Sequence, residues 1–402
     1  MQASTLSPQE IEQLRAETAG VAAQIHFNNA GSSLPPNVVV DTVVDYLREE
    51  ALIGGYEAED KYSKQLENTY TLIARLINAK VDEVAVVENA STGWALAFNG
   101  LDFKEGDEII TSEMEYSTNV IGFMNAQKLY GVKVIYIPND ARGNFSITHL
   151  EAAISAKTRL IAITHIASGT GGMMPVNEIG AIARRQNILY LVDACQSAGH
   201  TPIDVEVIQC DMLSVTGRKY LRAPRGTGFL YIRKQVQDLI RPFFIDGHSI
   251  QSITENGYKL RDDARRFELY ENSRATTLGL GKAIAYALNI GVDRIWQRIQ
   301  HLAALTRRQL SDIDGITVHD TGDQQCGIVT FTVKGIESQQ VKEYLGNNHI
   351  NVSVGLPKST LMFMSRNHLS SVVRVSVHYY NTEAEIDELC RILQILIKTT
   401  VV

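Results

Sequence analysis

Two residues in the middle of the chain could share one piece of chemistry. Asp193 closes the apolar run Leu189-Tyr190-Leu191-Val192, and Lys219 stands just past the run Met212-Leu213-Ser214-Val215. A carboxylate ending a buried strand is costly unless loop amides or a cation meet it. A lysine held in a Gly- and Pro-containing segment, Thr216-Gly217-Arg218-Lys219 to Pro224-Arg225-Gly226, is a candidate desolvated amine able to form a Schiff base. Taken singly, the aspartate is equally an acceptor for loop amides, and the lysine a surface residue. Their spacing is about one strand-helix-strand step, which brings both to one cleft. There they are an acid that can pair with a pyridine nitrogen and an amine that can hold an aldehyde, and pyridoxal phosphate requires both partners.

Ligands of open α/β sheets sit at the carboxyl ends of the strands, so the residues after each apolar run carry the remaining candidates. After Val84–Val87, Ser91 and Thr92 precede Gly93 at a helix start, offering hydroxyls, free N–H groups and the positive end of the helix dipole to a phosphate. An ordinary N-cap reads the same way. After Glu108–Thr111 comes Tyr116, which can stack on a flat ring or simply pack. After Leu160–Ile163 come His165 and Ser168, on the same crest, although a lone histidine there commonly serves structure.

Positioning these residues requires a sheet. Short apolar runs at Val84–Val87, Glu108–Thr111, Val132–Ile137, Leu160–Ile166, Leu189–Val192, Met212–Val215 and Thr227–Ile232 predict strands buried on both faces. Helical periodicity at Thr92–Leu101, Thr118–Tyr130 and Val176–Gln186 alternates with them, the βαβ rhythm of a mainly parallel α/β sheet. Past about residue 260 the texture changes to a long helical stretch (Leu278 to Leu305), strands at Ile328–Val333, Ile350–Val354 and Val373–Val377, and a last helix capped by Thr382 and Glu385. The expected organisation is an N-terminal helix (1–22, capping box Ser7/Glu10) packed on the small domain. A large domain follows (23–270), then a smaller α+β domain (271–402). No repeat or loose linker interrupts the chain.

The 402 residues carry net charge −7, which argues against a nucleic-acid partner. Four scattered cysteines, Cys195, Cys210, Cys326 and Cys390, give no disulfide framework and no metal site, and fit a reducing cytoplasm. Glu10 and Glu12 fall where a signal peptide needs an apolar core, and no apolar run approaches membrane-spanning length, so neither secretion nor membrane insertion is expected.

Together these residues resemble the fold-type I pyridoxal-phosphate enzymes of the class V aminotransferase group, which holds cysteine desulfurases, C–S lyases and isopenicillin N epimerase. The resemblance runs from His26-Phe27-Asn28-Asn29-Ala30-Gly31 to Tyr379-Tyr380-Asn381-Thr382. It is most specific at Val192-Asp193-Ala194-Cys195-Gln196-Ser197 and Thr216-Gly217-Arg218-Lys219. It implies a fold-type I large domain with a seven-stranded, mainly parallel sheet. Lys219 would hold the cofactor and move protons, Asp193 would pair with the ring nitrogen, and Gln196 with the ring's phenolic oxygen. Ser91, Thr92, Thr216 and Arg218 would surround the phosphate, Tyr116 would stack on the ring, and Ser168 would add a cofactor contact. Arg374 would grip the α-carboxylate of a small amino-acid substrate, with Asn29 and His165 as further substrate contacts. Arg218 and Tyr116 stand where the family usually has histidine. The family also implies a homodimer, in which Phe267–Ser273 matches a segment that reaches the neighbour's phosphate, although its usual Gly-Thr is replaced.

The loop Val354-Gly355-Leu356-Pro357-Lys358-Ser359-Thr360 lacks the mobile cysteine that desulfurases need. Persulfide-forming desulfuration is therefore disfavoured. The expected reaction is β-elimination by a C–S lyase on a cysteine-derived compound, with transamination or epimerisation as alternatives. Two further classes compete. A non-catalytic cofactor-binding regulator predicts a lost Lys219 or Asp193, and a nucleotide-binding α/β protein predicts glycine spacings that Gly169–Gly172 does not have.

Overall fold

In the computed structural model, which describes residues 5–400, the seven apolar runs between residues 84 and 232 form a single sheet. Its strands are β1 (Val84–Val87), β2 (Glu108–Ser112), β3 (Lys133–Ile137), β4 (Thr158–Thr164), β5 (Leu189–Asp193), β6 (Met212–Thr216) and β7 (Gly228–Ile232), in the order β1-β7-β6-β5-β4-β2-β3. All run parallel except β7, which is antiparallel to both neighbours. This is the α/β architecture with a large, mainly parallel sheet and a smaller domain.

The period of two along each strand separates two cores. On β4 and β5, Ile161, Ile163, Tyr190 and Val192 enter one core, and Leu160, Ala162 and Leu191 enter the other. The helices Ala90–Asn99 (α1) and Ser117–Tyr130 (α2) cover the second face with Trp94, Phe98 and Phe123. The helix Val176–Arg185 (α3) covers the first face with Ile179 and Ile182. Asp193 and Thr164 continue the α1/α2 face beyond the end of the apolar pattern.

The smaller domain holds the antiparallel sheet β8 (Ile316–Val318), β9 (Ile328–Val333), β10 (Ser353–Gly355) and β11 (Val372–Ser376), ordered β8-β9-β11-β10. The long helical stretch is two helices, Arg274–Ile290 (α4) and Val292–Ser311 (α5), because Gly291 takes φ 93° and turns the chain between them. The expected strand Ile350–Val354 is also divided. Ile350–Asn351 pairs with Ile25–His26, and Ser353–Gly355 joins the small sheet. The N-terminal helix carries its Ser7/Glu10 capping box, and its Leu14 shares a core with Ile386 and Leu389 of the last helix, Glu383–Thr400 (α6).

Candidate active site

Five strands of the large sheet end at one pocket, lined by Ser91, Tyr116, Asn119, Thr164, Ile166, Ser168, Asp193, Cys195, Gln196 and Lys219, among others. Asp193 is buried at the end of β5. Its Oδ1 accepts from the Cys195 amide at 2.9 Å and its Oδ2 from Asn119 Nδ2 at 3.1 Å. Lys219 follows β6 and makes no hydrogen bond or ion pair with the described residues. Desolvation lowers its pKa below the usual lysine range, opposed by the negative potential of Cys195 and Asp193. Its Nζ lies 5.9 Å from the centre of the Tyr116 ring. Gln196 donates from Nε2 to the Ala30 carbonyl at 3.0 Å, while its Oε1 is buried without a partner, as is the Ser168 hydroxyl.

The α1 N-terminus is capped by Asn89, whose side chain accepts from the Thr92 amide at 3.0 Å. Ser91 faces the pocket; Thr92 is turned to its own cap. Thr216 and Arg218 flank the pocket without lining it, and the Arg218 guanidinium donates to the Gly31 carbonyl. Arg374 lies on β11 opposite Ser353 of β10. Its Nε donates to Ser353 Oγ at 2.9 Å and its Nη1 to the Ser168 carbonyl at 2.8 Å, which ties the small sheet to the pocket wall.

Two of the expected substrate contacts are placed elsewhere. Thr164, Ile166 and Ser168 face the pocket, so His165 between them points to the opposite side of the sheet. It lines a separate cleft of about 960 Å³ with Trp296, Arg307 and α3 residues. Asn29 is fully buried with its amide engaged: Nδ2 donates to Ser376 O at 2.7 Å and His26 O at 3.2 Å, and Oδ1 accepts from the Tyr380 hydroxyl at 2.5 Å. It clamps the N-terminal segment to β11 instead of facing a ligand.

Sequence reasoning missed Glu115 and Asn119. Both are buried; Glu115 lies just before the α2 N-cap and Asn119 in its first turn, and Asn119 bridges Glu115 to Asp193. Among the described residues no cluster suits a metal ion, and no helix is long and apolar enough to cross a membrane.

Behind the pocket, buried histidines hold the neutral form. His200 donates from Nδ1 to the Gln196 carbonyl, accepts at Nε2 from the Gly327 amide at 2.9 Å, and stacks on Tyr220. Burial lowers His200 to about 3 and His165 to about 4, and holds His378 well below its usual value. The unfolded chain protonates these rings near pH 6.5. It then binds more protons than the fold, so their contribution to stability is complete above pH 6.5 and declines as pH falls toward 4 and 3. Each ring steepens the decline by up to about 1.4 kcal/mol per pH unit. The melting temperature is expected to drop between pH 7 and pH 5; scanning calorimetry that finds it constant there would refute this.

Residues 25–389 match the family model described as aminotransferase class-V. A curated relative from Pyrococcus abyssi, described as a probable cysteine desulfurase, is 29% identical over 96% of this chain and 98% of its own. Among solved structures, a cysteine desulfurase from Thermococcus onnurineus superposes with TM-score 0.91 at 28% identity, covering 99% of this chain and 100% of that one. A cystine C–S lyase solved with cysteine persulfide shares the fold at TM-score 0.84 and 24% identity, covering 93% and 98% of the two chains.

Proposed function

The chain belongs to the class-V aminotransferase family, and from that premise we propose that it is a C–S lyase. In this reading it eliminates the sulfur substituent of a cysteine-derived amino acid. It is a pyridoxal-phosphate-dependent enzyme, and the pocket fits that cofactor. An amine without a partner, a buried carboxylate, and two buried polar atoms without partners, Gln196 Oε1 and Ser168 Oγ, converge beside the aromatic face of Tyr116. When bound, the cofactor supplies a sink for the electron pair released at the substrate α-carbon.

The protein's own groups do the rest. Asp193 is the partner for the ring nitrogen, Tyr116 the stacking face, and Gln196 the contact for the phenolic oxygen. Ser91, Thr92, Thr216 and Arg218 seat the phosphate, with Ser91 nearest the pocket. Lys219 would hold the aldehyde of the bound cofactor, and its desolvated amine is the group that would take the α-proton. Arg374 binds the α-carboxylate.

The observation that carries elimination over persulfide formation is the state of the thiols. Attack on a substrate sulfur needs an accessible thiolate. Of the four cysteines, Cys195 alone lines the pocket, and burial together with neighbouring Asp193 holds its thiol well above the usual range. Cys210 and Cys326 are fully buried, and Cys390 lies on α6. The segment 354–360 presents Leu, Pro, Lys, Ser and Thr, none a nucleophilic sulfur. Incubation with S-substituted cysteines is expected to yield pyruvate and ammonia in equal amounts. Alanine as the product, or amino transfer to an added keto acid, would overturn the reading.

Two further features belong to this reading. Phe243 and Phe244 are large apolar side chains left exposed against each other, and Leu52 and Ile121 are exposed elsewhere, which supports burial of apolar side chains by a second copy in a homodimer. Four unpaired cysteines support a reducing, cytoplasmic setting.

A further inference from the structure

We propose that Glu115 and Asn119 are positioning residues for Asp193, fixing its carboxylate for the cofactor's ring nitrogen and reinforcing the negative charge that keeps that nitrogen protonated. The inference rests on the reading of Asp193 as the ring-nitrogen partner.

Glu115 is 1% exposed and forms no ion pair among the described residues. It is held only by neutral donors. Oε1 accepts from the Tyr116 amide at 3.0 Å, from Asn119 Nδ2 at 2.7 Å and from the Thr164 hydroxyl; Oε2 accepts from the Thr164 amide at 2.9 Å and the Thr111 hydroxyl at 3.1 Å. An ionised carboxylate buried without a cation is expensive. The Asn119 amide has two hydrogens, and two carboxylates claim them: Glu115 at 2.7 Å and Asp193 Oδ2 at 3.1 Å. With the Cys195 amide on Oδ1, both oxygens of Asp193 are fixed.

Two carboxylates joined by one amide repel each other. Burial first, then Asp193, raises Glu115 to about 7, against the hydrogen bonds from Thr164 and Asn119. Tyr190 on β5 and Tyr136 on β3 also feel Glu115, and Lys219, past β6, feels Asp193, but neither carboxylate forms an ion pair among the described residues. A protonated ring nitrogen held at Asp193 would supply that positive charge. It favours ionisation of both carboxylates, and by linkage both carboxylates favour its proton.

A purely structural Glu115, pinning β2 to β4 through Thr111 and Thr164, would change stability alone. The two roles separate in holoenzyme reconstituted with cofactor labelled with 15N at the ring nitrogen and titrated by NMR. Glu115→Gln is expected to lose the ring proton about one pH unit lower than wild type, with kcat reduced about tenfold and KM nearly unchanged. Asn119→Ala should shift the titration in the same direction, and it decides the matter if Glu115→Gln does not accumulate as holoenzyme. A wild-type titration in the variants, whatever their melting temperatures, overturns the proposal. Asp193→Asn separates the layers. If it abolishes ring protonation while Glu115→Gln and Asn119→Ala do not shift it, this inference alone falls. If Asp193→Asn is also without effect, the reading of Asp193 falls with it.

Discussion

Lys219→Ala is expected to abolish turnover, lowering kcat by about 10³-fold or more, since a positioned proton-transfer group alone contributes about 10²–10⁴. Lys219→Arg should be equally inactive. Arginine keeps the positive charge but stays protonated at any working pH, so it can neither condense with an aldehyde nor accept a proton. The pair of variants therefore distinguishes a lysine needed for its charge from one needed for its lone pair. The lowered pKa of Lys219 points to the second role: desolvation raises the fraction of neutral amine without any covalent change. A second readout is independent of turnover. Borohydride should fix the cofactor to wild-type protein on the peptide containing Lys219 and leave both variants unlabelled. Wild-type kcat in Lys219→Arg, or a label on another lysine, would remove Lys219 from the reaction.

How much of this site could be read from sequence follows from which physical signals are local. The strands were legible because each is a short apolar run bounded by polar residues. The site's general position followed because strands of one sheet share their carboxyl edge. Asp193 and Lys219 stood out as charged residues just past such runs. The Glu115–Asn119–Asp193 bridge was not legible, because it depends on sheet order. β4 intervenes between β2 and β5, so Thr164 and Asn119 come to lie between two carboxylates 78 residues apart by chain number, Glu115 and Asp193. The residues after a strand, read as a group, hide the alternation that turns His165 away from its neighbours Thr164 and Ile166 to the opposite side of the sheet. Asn29 enters as a substrate contact through the family resemblance, and nothing local in the sequence reveals that the Ser376 and His26 carbonyls take up its amide. The break at Gly291 was hidden because both helices keep the same apolar periodicity on either side of it.

Arg374 carries the second large effect, and it tests the substrate end of the site. Arg374→Ala is expected to raise KM for an amino-acid substrate by about 30- to 4000-fold, since removing one partner of a desolvated, hydrogen-bonded charge pair costs about 2–5 kcal/mol. Arg374→Lys should lose most of the same factor. The guanidinium is held at two points, by Ser353 Oγ and the Ser168 carbonyl, and a lysine ammonium cannot keep both anchors while presenting a planar fork to a carboxylate. Burial already lowers the arginine's pKa, so the site holds a partly desolvated cation that an anionic ligand would satisfy. A substrate analogue without the α-carboxylate completes the cycle. Wild type should lose with the analogue about what Arg374→Ala loses with the full substrate, and Arg374→Ala should lose little more with the analogue. Penalties that simply add would mean that Arg374 and the carboxylate act independently. Arg374 would then be a strut between the small sheet and the pocket wall, and another cation would have to bind the substrate.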